Sequence, residues 1–132
     1  MITEKHLDDT YGHPQPDWEL AKKQARSTIV KCGAEERFIT YQDLTHEISA
    51  IKFQPDDDIF HHLLGQISWE EDSCGRGMLT ALVVHKEGDK MPGSGFWKLA
   101  KLLKRNISDK VFFWQAEAKR IFADCKSGKI PS

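Results

Sequence analysis

Long apolar runs are missing from this 132-residue sequence. None approaches the roughly 18–20 residues that a membrane-spanning helix needs, so no such helix and no membrane partner is expected. Cysteine is scarce. Three of them, widely spaced, rule out a disulfide scaffold and read as thiols of a reducing compartment. Neither C-x-x-C nor H-x-x-x-H spacing occurs, so no metal and no cofactor is expected. Repeats and low-complexity tracts are absent, which excludes solenoid, collagen-like and coiled-coil architectures. The first residues, Met-Ile-Thr-Glu-Lys-His, are too polar for a signal peptide, and a cytoplasmic location is the expectation.

What is present suits one globular domain. Apolar residues make up 39% of the chain, and seven Phe, four Trp and two Tyr are enough to seed a core. The net charge of −1 conceals a division. From Met1 to Gly75, seven Lys/Arg stand against fifteen Asp/Glu, a balance of −8; from Arg76 to Ser132 twelve stand against five, a balance of +7. Such asymmetry points to one surface that attracts anions and another that repels them, unless folding intermixes the two sets.

Residues 1–15 read as a loose arm, 16–127 as the domain and 128–132 as a tail. A first helix is predicted after Pro16 with Asp17 as N-cap, a buried stripe of Trp18, Ala21, Ala25, Ile29 and Cys32, and Gly33 as its stop. After an extended Arg37–Thr40, Thr40 opens a second helix through a capping box with Asp43, and Tyr41, Leu44, Ile48 and Ile51 share one face. A third helix begins within Asp56–Asp58, where the helix dipole favours carboxylates. Met78–His85, rich in β-branched residues and free of breakers, reads as a strand. Lys86–Gly95 reads as a glycine-bearing hairpin or flap. A fourth helix over Phe96–Lys104 and a fifth after Ser108 complete the chain. This order gives the expected fold class: α+β, a winged helix-turn-helix-like single domain with additional N- and C-terminal helices.

Several stretches also resemble a group of small prokaryotic and phage proteins. Ile39-Thr-Tyr-Gln-Asp-Leu44 is similar to their "TY-x-x-L" segment, and Leu64-Gly-Gln-Ile67 to their "LG-x-I" helix. Gly77-Met-Leu-Thr-Ala-Leu-Val-Val-His-Lys86, followed by Met91-Pro-Gly-Ser-Gly-Phe96 and Leu99-Ala100, resembles their "PLLSALVVNK…MPGxGFxxLA" block. Phe112-Phe-Trp114 and Lys119-Arg-Ile-Phe122 are similar to their "FWxxELxRVY" final helix. The likeness spans about Arg37 to Cys125, with Gly77 standing where the pattern has Pro. Members occur alone or joined to nuclease modules of the HNH kind. The resemblance implies a winged-helix-like domain with a link to DNA or phage defence, and no catalytic residue.

Read residue by residue, the second half offers a basic wing. Arg76, Lys86 and Lys90 flank the strand and its glycine-rich return, and Lys98, Lys101 and Arg105 carry positive charge onto the next helix. Contacts of this kind position a protein on duplex DNA without reading its sequence. The plain alternative is a solvated basic helix face. On the third helix, His61, His62, Gln66 and Ser68 are the residues that would read bases. The carboxylates at both ends of that helix, Asp56–Asp58 and Glu70–Asp72, oppose insertion into a groove. Trp69 and Trp97 fall off the apolar stripes and suggest a partner surface. The expected function is a nucleic-acid-associated accessory or regulatory module gripping duplex DNA. The alternative is a protein-interaction module, an immunity protein, antitoxin or phage inhibitor, acting through the acidic first half on a protein partner. Oligomeric state is not encoded in any of these features.

Overall fold

The computed structural model describes residues 9–132. Five α-helices surround a two-stranded ladder: α1 (Gln15–Ala34), β1 (Ile39–Thr40), α2 (Tyr41–His46), α3 (Asp58–Ser73), a 3-10 turn over Leu79–Leu82, β2 (Val83–Val84), α4 (Ser94–Leu102) and α5 (Lys110–Ser127). Part of the expected arm, Met1–Asp8, lies outside the described residues. Beyond it, Tyr11 stacks on His62 with ring centroids 4.8 Å apart, and His13 lies against Trp18 at 6.0 Å.

The winged-helix expectation is overturned. A wing requires an antiparallel hairpin, whereas β1 and β2 pair in parallel, Ile39 with Val83 and Thr40 with Val84. Parallel strands need a long crossover, here supplied by α2, α3 and the 3-10 turn. Among the described residues no second strand returns from β2. The return is an irregular turn, held to β2 by the backbone bond from His85 N to Met91 O at 3.0 Å. The fold is therefore mostly helical.

The expected strand over Met78–His85 shrinks for a related reason. Every side chain from Met78 to Val84 is buried, so the run is a central core segment enclosed on both sides, not one face of a sheet. Its polar backbone finds other partners. Met78 N donates to the Glu117 carboxylate at 3.0 Å, Thr80 N to Ser68 Oγ at 3.0 Å, and Ala81 N to Met78 O at 2.9 Å. Just before this run Gly77 adopts φ 85°, a value that proline, fixed near about −65°, cannot reach. The departure from the resembled pattern at this position is required by the backbone.

Helix boundaries follow side chains that the periodic pattern does not reveal. α1 starts three residues earlier than expected, with Pro14 and not Asp17 at its N-cap, because Pro16 is tolerated in a first turn whose N–H groups need no helical partner. It runs past Gly33 to Ala34 and stops with Glu36 at φ 56°. The second helix ends at His46, well short of Ile51. Gln24 of α1 takes over the chain there. Its Oε1 accepts from Ser49 N and Ala50 N, both at 3.0 Å, and its Nε2 donates to Ser49 Oγ at 2.8 Å. Ile48 and Ile51 still reach the core, from irregular backbone. The Thr40 cap works as the sequence implies, Thr40 Oγ1 accepting from Asp43 N at 3.1 Å; α5 is capped by Asp109, whose Oδ1 accepts from Phe112 N at 3.0 Å.

The core sits where α1, α3 and α5 close around the Met78–Val84 segment, with Trp18, Ile29, Phe60, Leu63, Leu79, Leu82 and Ile121 fully enclosed. Cys32 and Cys125 lie within it and Cys74 is exposed, all three as thiols. Burial pushes the Cys125 thiol up to about 11, so it stays protonated and inert near neutrality.

Candidate functional site

Both strands and three helices open onto one cleft. β1 and β2 deliver Tyr41 and His85 to it from their C-terminal ends, and α2, α3 and α4 begin beside it. In parallel sheets this is where ligands gather, because strand ends and helix N-termini present side chains and unpaired N–H groups together. The cleft encloses about 690 Å³, ample for part of a nucleotide chain. Its walls include Asp56, Asp58, His61 and His62 from the start of α3, Lys86 and Glu87 after β2, and Gly93, Ser94, Gly95 and Lys98 from α4 and its approach.

Tyr41 is the organising residue. It is buried, and its hydroxyl accepts the N–H of Gly93 at 2.7 Å, which fixes the approach to α4. Burial pushes the phenol up, and the Gly93 N–H offsets this in part. The group is thus neutral across the physiological range and keeps a hydrogen to donate. Its ring packs against two imidazoles, His61 at 4.9 Å and His85 at 5.1 Å between centroids. His61 Nε2 lies 2.9 Å from the carbonyl oxygen of Pro55. A carbonyl only accepts, so Nε2 bears the hydrogen and Nδ1 holds the lone pair in the neutral ring. Gly93 keeps these contacts uncrowded. A Cβ at that position would approach His85 Nε2 to 3.1 Å and Tyr41 Oη to 3.3 Å.

The six expected phosphate-gripping cations divide. Arg76 is engaged by buried Glu71 at 2.6 Å, and Glu71 also holds Arg26 at 2.8 Å. Arg105 pairs with Asp72. Residues of the acidic half therefore engage both arginines. Lys86, Lys90, Lys98 and Lys101 are exposed, with Lys86 and Lys98 on the cleft. The same ion pairs, together with Lys22–Glu70 at 3.1 Å, absorb the Glu70–Asp72 portion of the acidic surface.

Base reading from the third helix is corrected at two positions. Gln66, 1% exposed, accepts from Trp18 Nε1 and donates to Asp9 O, both at 2.8 Å. Ser68, fully buried, bonds Thr80 Oγ1 at 2.5 Å. Neither reaches a groove edge, because α3 is wrapped by α1, α4 and the 3-10 turn. His61 and His62 do reach the cleft. Trp69 and Trp97 are half-buried against the core. Trp97 Nε1 donates to Pro92 O at 3.1 Å, and Lys110 Nζ sits 5.3 Å over its ring. Cys74 caps the far end of α3, about 24 Å along a 16-residue helix from the end that faces His85.

Sequence reasoning overlooked Tyr41, which it placed on a core stripe, and His85 as a partner of Tyr41. The available signal was the Met91-Pro-Gly-Ser-Gly-Phe96 segment, whose glycines leave room for a close approach. Compared with family models, curated proteins and solved structures, the chain finds no match. Among the described residues no helix is long and apolar enough to cross a membrane.

Proposed function

We propose that the chain is a nucleic-acid-associated accessory or regulatory module that holds the phosphodiester backbone of duplex DNA at the cleft. The observation that carries this reading is that Lys86 and Lys98 share one cleft with the start of α4. There, the first backbone N–H groups and two ammonium groups favour an anion together. Lys101 extends the charge along α4, and Lys90 lies on the turn after Lys86. Asp56, Asp58 and Glu87 line the same cleft and repel phosphate, so contact is assigned to the α4 side. Arg76 and Arg105, already paired, take no part. A cytoplasmic setting goes with this reading, as does the link to phage defence that the sequence resemblance implies.

The test is an anisotropy titration of a random-sequence duplex at roughly 50 mM and 200 mM salt. Binding that weakens with salt and is lost in the K86E/K98E variant supports the reading. No binding at low salt overturns it; a co-purifying basic protein would then favour the acidic-surface alternative.

A further inference from the structure

The cleft holds more than a backbone clamp requires. Lysines and helix N–H groups suffice to hold phosphate, yet two imidazoles also pack against one buried, neutral tyrosine on the cleft. One of them, His61, has its tautomer set by the Pro55 carbonyl, with Nδ1 left as the basic nitrogen. The other, His85, is exposed at the end of β2 and brings Nε2 over Gly93 at the approach to α4. A base oriented by a third group, an acid, a neutral hydrogen donor and flanking ammonium groups make up the equipment for phosphodiester transfer.

We propose that this cleft cleaves a ribonucleotide phosphodiester, with His61 as general base and His85 as general acid. A ribonucleotide carries its own nucleophile, so the protein need supply only proton transfer and charge. His61 Nδ1 takes the proton of the 2′-hydroxyl. The 2′-oxygen then forms a bond to phosphorus while the bond from phosphorus to the 5′-oxygen breaks. The leaving 5′-oxygen takes its proton from the His85 imidazolium. The products are a 2′,3′-cyclic phosphate and a free 5′-hydroxyl, and one proton has passed from substrate to His61 and one from His85 to substrate. Lys86 and Lys98 offset the charge on the non-bridging oxygens. Tyr41 acts as a positioning residue, holding Gly93 and both imidazoles.

This inference rests on the proposed binding of a phosphodiester at the cleft, and a single substrate separates the two. The probe is an end-labelled DNA duplex containing one ribonucleotide, in EDTA, with an all-deoxy duplex as control. The expected result is cleavage at the ribonucleotide alone, ending in a cyclic phosphate. His61→Gln and His85→Gln should each lower the rate by about 10²-fold or more. Because His85 is exposed, H85Q keeps the test valid if H61Q fails to fold. Anisotropy with the same duplex reads binding by the unsubstituted chain. Binding without cleavage overturns the inference and leaves the binding reading standing; absence of binding overturns both. Cleavage of the all-deoxy control, or cleavage undiminished in H85Q, also overturns the inference.

Discussion

Gly33 of α1 and Cys125 of α5 meet so closely that a Cβ on Gly33 would lie 2.6 Å from Cys125 Sγ. The glycine is helical, so its role is not conformational freedom but the removal of a side chain at the crossing. Gly33→Ala should therefore destabilise the fold. Overpacking costs about 1–3 kcal/mol, of which improved helix propensity returns up to about 1 kcal/mol. In urea denaturation, the G33A/C125A double variant should recover part of the loss, because removing Sγ opens the contact. A G33A chain as stable as the parent would show that the helices can move apart without cost.

How far the sequence reveals this fold depends on what the periodic signal measures. α1, α3, α4 and α5 are legible because each buries one stripe, and period 3.6 reports that directly. Met78–Val84 is not legible, because a run buried on every side has no period and β-branched content alone suggested a strand. The end of α2 is hidden because Gln24, more than twenty residues away in sequence, captures Ser49 and Ala50. The candidate site follows the same logic. Its lysines are visible as charge, but the withdrawal of Arg76 and Arg105 depends on Glu71 and Asp72. Tyr41 fits a core stripe equally well, and nothing in the spacing shows its hydroxyl meeting Gly93.

Buried Glu71 bridges Arg26 and Arg76. Burial alone would raise its carboxyl, but hydrogen bonds and charge from both guanidiniums outweigh that and hold it below the usual carboxylate range. A depressed folded-state value contributes stability above the unfolded value, and that contribution is lost as pH falls through the folded one. Glu71→Gln should lose about 3 kcal/mol near neutrality, the lower end for a broken buried pair, because both arginines reach water. The deficit should shrink on acidification. Denaturation midpoints from roughly pH 3 to 7 check this, and a deficit independent of pH would contradict it.

Tyr41→Phe leaves the N–H of Gly93, a buried residue, without its acceptor. The expected cost is about 1–3 kcal/mol in urea denaturation. The alkaline limb should change too. The phenol titrates higher in the folded chain than in the unfolded one. Its stabilising effect is therefore complete below the unfolded value, about 10, and is lost as pH rises through the folded value. Removing the phenol should flatten that limb in part, with Tyr11, Cys32 and Cys125, also pushed up by burial, supplying the remaining slope. A full-sized alkaline loss in Y41F would contradict this assignment.

The division of the six cations gives a test that separates charge from contact. Each phosphate neutralised adds about 0.9 to the slope of log affinity against log salt. Lys86→Gln and Lys98→Gln should each reduce the slope by about that amount and leave stability nearly unchanged, since both side chains are exposed. Arg76→Gln and Arg105→Gln remove equal formal charge but should leave the slope where it was, because Glu71 and Asp72 already hold those guanidiniums. Their effect should appear in thermal denaturation as a lowered midpoint, because R105Q takes the guanidinium from Asp72 and R76Q leaves buried Glu71 with Arg26 alone. Titrations of all four variants on one duplex across a salt series decide the matter. Equal slope losses for lysines and arginines would mean that the ion pairs open on binding and that the DNA-contacting surface extends well beyond the cleft.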